Sequence, residues 1–518
     1  MRVRALCAMI VVAAGMAQAE PFRRANGNEP DTLDPQKYEL TSENNILRDL
    51  FEGLASTDDQ MRIVPGQAES WDVSDDGLTW TFHLRAGLMW SDGEPVTADD
   101  FVAGMRRAVD PATAAKLPDI AYKIENARAI LDGKMAPDRL GVSAPDARTV
   151  VVHVVAPSPL IDDIMAATLL VPVPRHAIAK FGDDWVKPGN MVSNGPYMLE
   201  KWEPSSEVRI VRNPRYREAD KVAIERVSFF PSDDLEMALK RFRAHEIDFI
   251  GTIPALKIPW AKQELPEQLT LTTVNQVRYI EINHALAKLQ DVRVRKALAL
   301  AIDREVFTER LMPGAGIPAY GFVPRAIEGY TGASFDFAGK SRADRLAEAR
   351  ALLAEAGYGP SNAFVVDLRL TGESWVKPIA SAIVSMWAEA GIKATLNVSE
   401  AKVHYAAIDQ GDFELAISGW FGSDDPETFM WLFLTGGGLN ESKYSSAAFD
   451  AASAVAETTM DLSERYAGFA KAERILMDDV AMIPLFWTIQ AGLVAPEIKG
   501  YRPTPRGFPR SRWASFAR

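Results

Sequence analysis

Residues 417–431 read ISGWFGSDDPETFMW. An alternating apolar stretch leaves through Gly419, Trp420 and Phe421, and Asp424 and Asp425 follow directly before Pro426. Adjacent carboxylates at such an exit can start a helix, ligate a metal or hold a charged ligand. Asp425, with Pro426, Glu427 and Thr428 after it, has the form of an N-cap with proline at the first helical position. Asp424 is not needed for that cap and is available to an ammonium partner. Trp420 reads as pocket wall or as core. Elsewhere, Tyr122 offers a cleft hydroxyl and Arg310 a partner for a ligand carboxylate, although both also fit ordinary surface positions.

Bond-breaking chemistry has less to draw on. G-x-S-x-G and H-E-x-x-H are absent, and SEAK (399–402) matches S-x-x-K without K-T-G or S-D-N. The six histidines, His83, His153, His176, His245, His284 and His404, are scattered without metal-ligand spacing. His404 falls near the exit stretch, which keeps a metal-chelate solute open. No catalytic residue, resident metal or cofactor is expected, and an exported hydrolase is the alternative from another class.

The first nineteen residues, MRVRALCAMIVVAAGMAQA, combine Arg2 and Arg4, a short apolar run and an A-x-A ending. They predict a secretory signal peptide cut after Ala19 and a periplasmic mature chain. Cleavage removes Cys7, the only cysteine, so disulfides and thiolate chemistry are excluded. Losing Arg2 and Arg4 moves the formal charge from −13 to −15, and no basic tract with interleaved aromatics offsets it. Nucleic acid is therefore not an expected partner. At 518 residues the chain exceeds what one hydrophobic core supports, so two or three lobes are expected.

The elements that must carry the exit stretch are mixed α/β. TWTFHLR (79–85) and RTVVVHVV (148–155) alternate as half-buried strands. SRADRLAEARALLAEAGYG predicts a helix capped by Ser341, faced by Leu346, Ala349, Leu353 and Ala356 and ended by Gly357. A second helix begins near Pro378, with Ile379, Ile383 and Met386 on one face and Gly391 at its end. Strands are expected at 363–370, 393–399 and 412–418, the last with Phe413, Leu415 and Ile417 inward and Glu414, Ala416 and Ser418 outward. Ligands of open α/β sheets sit beyond the carboxyl ends of strands, which is where the two aspartates lie.

Five stretches in order, EPDTLDPQKYELTSENNILRDLFEGL (29–54), AESWDVSDDGLTWTFHLRAGLMWSDGEPVTADDFV (68–102), KFGDDWVKPGNMVSNGPYMLEKW (180–202), DVRVRKALALAIDREVF (291–307) and the Gly419-Trp420 exit, give the chain a likeness. It resembles the periplasmic oligopeptide- and dipeptide-binding proteins of ABC importers, the extracellular solute-binding proteins of family 5. The resemblance implies a two-lobed periplasmic binding protein fold (type II, peptide-binding cluster) with a hinge and an extra inserted domain. Lobe I would comprise 20–50, 171–275 and 489–518, the inserted domain 51–170, and lobe II 276–488, with hinge crossings near 275–283 and 483–490. The resemblance implies a monomer that closes on a small peptide or peptide-like solute and docks on an inner-membrane ABC permease. Opines, metal chelates and oligosaccharides are the alternative cargoes.

By position, the resemblance makes Thr41, Gly419 and Phe421 backbone contributors to a bound peptide and Glu39 a cleft carboxylate. It also implies an exit-loop aspartate for the peptide's α-ammonium. Ser423 stands in that place here, in a loop one residue shorter, with Asp424 next to it. The arginines that oligopeptide members carry before Gly-Trp are replaced by Ile417 and Ile408, and an aromatic expected near Ala401 is missing.

Overall fold

Two long antiparallel strands, Leu269–Ile282 and Met482–Val494, run through the middle of an eleven-stranded sheet. The computed structural model that shows this describes residues 20–517 apart from Ser374, so the expected leader, residues 1–19 with its cut after Ala19, lies outside the described residues. The register of the two strands holds from Leu269↔Leu493 to Thr273↔Ile489, breaks, and resumes at Val277↔Trp487. On one flank the sheet continues through Phe249–Ile250, Phe22–Ala25, Arg226–Phe230, Glu207–Arg212 and Tyr197–Glu203. On the other it continues through Leu415–Phe421, Val365–Thr371 and Lys393–Ser399.

A hydrophobic core lies on each side of the break. The first gathers residues between 22 and 261 together with 491–514, and the second spans 277–487. The chain is thus two packed bodies threaded on one continuous sheet. A separate four-stranded antiparallel sheet, in the order Ala68–Val73, Thr79–Leu84, Thr149–His153, Val142–Asp146, buries Trp80, Phe82, Val150 and Val152 in the first core. The TWTFHLR alternation sets that burial.

Local chemistry explains the elements. Ahead of helix Ala98–Val109, the Asp100 carboxylate accepts the Thr97 N–H (2.9 Å) and the Arg175 Nε–H (2.8 Å), closing a capping box. Ser341 caps helix Arg342–Glu355, accepting the Asp344 N–H, and Gly357 turns the chain away with φ +88°, which a side chain would strain. The C-terminal segment is fastened back onto helix Thr41–Leu50. Arg510 donates to the carbonyls of Arg48 and Phe51, and the Ser511 N–H donates to Asp49 (2.8 Å). No helix of the described residues is long and apolar enough to cross a membrane.

One expectation is corrected. Phe413, Leu415 and Ile417 are buried as the alternation requires, but Ala416 and Ser418 are buried too. Strand Leu415–Phe421 lies between two neighbours, and Ala416 packs with Ile408 of helix Ala401–Asp409 and with Phe413. Cover on both faces erases the outward half of the pattern.

Candidate functional site

Strand Leu415–Phe421 leaves the sheet with one edge bare. The Gly422 N–H donates to Asn275 O (2.8 Å), and the Asn283 N–H donates to Glu414 O (3.0 Å). Those two bonds fix the phase of the antiparallel pair: even-numbered residues bond the hinge strand, and the backbone groups of Gly419 and Phe421 point to the opposite edge. There the parallel neighbour Val365–Thr371 pairs only with Leu415 and Ala416. Beyond them no described strand covers the edge. The Phe421 side chain is 52% exposed, whereas Trp420 is half-buried against the second core, its indole N–H without a partner among the described residues. Trp420 packs on the second core at the strand's exit.

The loop that follows is tightly held. Asn275 donates through Nδ2 to Ser423 O (3.2 Å) and to the Asp424 carboxylate. The Ser423 N–H donates to Thr428 Oγ1 (3.0 Å), and the Ser423 hydroxyl accepts the Asp425 N–H (3.2 Å). Asp425 accepts the Glu427 N–H (2.9 Å) ahead of helix Glu427–Met430 and is clamped by Arg465 at 2.8 and 3.0 Å. Burial pushes the Asp425 carboxyl up, and Arg465 only partly pulls it back. Asp425 is 1% exposed.

Two cations of the first body pair with carboxylates of the second beside this loop. Lys123, from the first body, reaches Glu427 (2.7 Å) and Glu457 (3.1 Å) of the second. Burial raises the Glu427 carboxyl, but Lys123 and Arg465 outweigh it and hold the group below the usual range. The other pair is Arg506 with Asp424. Arg506 sits on a turn closed by Thr504 and Gly507, which exchange backbone bonds of 2.8 and 2.9 Å, and it also donates to Met61 O (3.0 Å). Asp163 lies 3.9 Å from Arg506, its carboxyl raised by burial against the arginine's pull. Near the same turn a cavity of about 660 Å³ opens between the bodies, walled by Thr272, Thr273, Tyr320, Arg325, Trp487 and Pro505. That volume suits a small ligand.

The remaining residues singled out in the sequence lie apart. Thr41 opens helix Thr41–Leu50, and the side chains of Glu39 and Thr41 are exposed. The carboxylate that organises their stretch is Glu43, which accepts the N–H groups of Asp31, Thr32, Glu39 and Leu40 at 2.8–3.0 Å. Tyr122 is half-buried under the Arg128 guanidinium (4.9 Å), and Arg310 is exposed on the π-helical turn Val306–Leu311. His404 does not face the cleft. It is fully buried, so it is not accessible to a metal chelate there. Among the described residues no group of three or more His, Cys, Asp or Glu is placed to hold a metal ion. Sequence reasoning passed over Lys123, Asn275, Arg278 and Arg506. A charge inside the apolar hinge strand was the available signal for Arg278, and the Pro-Arg-Gly turn was the signal for Arg506.

Behind the bare strand, Glu281 is buried with one carboxylate oxygen unpartnered, and burial pushes its pKa from 4.5 up to about 7. A raised carboxyl favours the fold while protonated. This contribution is complete below about pH 4.5 and is lost as pH rises towards 7. Melting of the parent should therefore fall between pH 5 and pH 8 relative to Glu281→Gln; parallel melting curves for the two proteins would contradict this.

The whole arrangement has known counterparts. The family model described as bacterial extracellular solute-binding proteins, family 5 Middle, matches residues 62–441. The chain is 36% identical over 504 residues to the periplasmic oligopeptide-binding protein OppA of Escherichia coli, covering 96% of this chain and 92% of that protein. It is 35% identical over 490 residues to the probable deoxycholate-binding periplasmic protein YgiS of the same organism, covering 94% and 91%. Among solved structures, Haemophilus influenzae OppA in complex with RPPGFSPFR superposes with a TM-score of 0.82 at 34% identity, covering 97% of this chain and all of that one.

Proposed function

Because the chain belongs to the bacterial extracellular solute-binding proteins of family 5, we propose that it captures a peptide or peptide-like solute between its two bodies in the periplasm and delivers it to the permease of an ABC importer. The bare backbone edge at Gly419 and Phe421 carries this reading. An extended peptide laid against that edge pairs with main-chain groups, which gives affinity with little dependence on side-chain identity. Contacts made to both bodies at once favour the closed population.

In this proposal the protein is exported by its leader, cut after Ala19, acts as a monomer and breaks no bond. Glu39 and Thr41 approach the solute from the first body, Trp420 and Phe421 from the second. The experiment is thermal melting of the purified chain with pooled random tri- to pentapeptides, followed by mass spectrometry of what it retains. Peptide ligands should raise the melting temperature by several degrees at a hundredfold excess over Kd, equivalent to about 2.7 kcal/mol. Melting unmoved by every peptide pool would sink the proposal.

A further inference from the structure

We propose that Arg278 is a second solute-binding group, one that takes a carboxylate of the ligand beside the bare strand edge. The identity of that ligand as a peptide rests on the function proposed above; the anion site itself rests on geometry.

Arg278 lies on hinge strand Leu269–Ile282, in register with Gly419 on one side and Phe486 on the other. Its guanidinium crosses over Gly419, where an added Cβ would stand 2.5 Å from Nη1. The Trp375 ring lies under the guanidinium at 4.8 Å and packs edge-on against Phe486. Yet Arg278 makes no hydrogen bond or ion pair with any described residue. Arg295, Arg304 and Arg465, three buried arginines of the same body, spend their donors on carbonyls or carboxylates. Arg278 is half-buried, and a guanidinium held partly out of water without a protein partner is costly unless something binds it.

Two groups face it. Glu373 is exposed and accepts the Trp375 indole N–H (2.5 Å), and the Tyr405 phenol, on helix Ala401–Asp409, is 48% exposed. Burial lowers the Arg278 pKa, and these neighbours only partly oppose it. With one face of the guanidinium on Trp375, its N–H fork is the part left for a ligand. A planar fork of donors matches a carboxylate in two parallel bonds. A strand added along Gly419–Phe421 would lie beside that fork, and the missing side chain at Gly419 is what lets Arg278 reach it.

Calorimetry decides the matter with two pools of random tri- to pentapeptides, one ending in free carboxylate and the other amidated, and with sodium butyrate as a bare carboxylate. The parent should bind the acid pool about tenfold to a hundredfold more tightly than the amide pool, the range of one charge-assisted contact. Arg278→Gln should erase that ratio, Arg278→Lys should keep part of it, and Gly419→Ala should reduce it by displacing the guanidinium. A general structural defect would weaken both pools and leave their ratio unchanged. Equal binding of the two pools by the parent, or an unchanged ratio in Arg278→Gln, overturns the carboxylate site and leaves the peptide reading standing. If neither pool binds, the peptide reading falls, and butyrate settles the site alone: saturable binding lost in Arg278→Gln upholds it, and no such binding overturns it.

Discussion

Arg465→Ala is expected to lower the stability of the second body by about 3–5 kcal/mol and to disable the exit loop with it. Arg465 is fully buried, and all of its donors are engaged. Nε and one terminal nitrogen hold Asp425, that same terminal nitrogen reaches Glu427, and the other caps the carbonyls of Ala456 (3.0 Å) and Glu457 (2.6 Å). Removing the cation leaves Asp425 as a buried anion with no charge opposite it, and Glu427 with Lys123 alone. Neutralising the anion should repair part of the damage, so Arg465→Met with Asp425→Asn is expected to be more stable than Arg465→Met. Urea unfolding checks both statements. A loss below about 1 kcal/mol in Arg465→Ala would mean that the loop does not depend on this clamp.

The double variant Lys123→Ala with Arg506→Ala should loosen the hold of one body on the other without unfolding either. Lys123 and its partner Glu427 are well shielded, while Arg506 and Asp424 are partly exposed and so are worth less. Together the pairs should contribute on the order of 2–4 kcal/mol to the closed arrangement, a shift of roughly 30- to 700-fold in the closed-to-open ratio. Small-angle scattering should then give a larger radius of gyration for the variant than for the parent, with added peptide pool narrowing the gap. Superimposable profiles for parent and variant would rule out any role of these pairs in closure.

Arg506 also changes the meaning of Asp424. The sequence leaves that carboxylate to an incoming ammonium, and the structure gives it a guanidinium from the opposite body and an amide from Asn275. A solute amine would have to displace Arg506 to reach it. A comparison of a free-amine peptide with its N-acetylated form, in parent and Arg506→Ala, would measure that competition.

What the sequence revealed follows from the range of the interactions involved. The Ser341 cap and the Trp80–Phe82–Leu84 alternation are set by residues a few positions apart, so pattern alone places them. The outward half of strand Leu415–Phe421 was misjudged because its cover comes from Ile408 and from neighbouring strands. Beyond being a charge in an apolar strand, Arg278 owes its interest to Gly419 and Trp375, about a hundred or more positions away, and to partners it lacks. Arg506 gains its role by meeting a loop about eighty residues earlier. Such juxtapositions exist only once the sheet has assembled.

The grip of Arg510 and Ser511 on helix Thr41–Leu50 has a consequence for biogenesis. The earliest helix among the described residues waits for residues 459 to 462 positions later before its last carbonyls and Asp49 are engaged, and the strand Phe22–Ala25 waits for Arg226–Phe230 and Phe249–Ile250. A nascent chain emerging from its start would stay incompletely knit until nearly its final dozen residues had followed, so shortening the tail by that much should leave the beginning of the protein without its fastening.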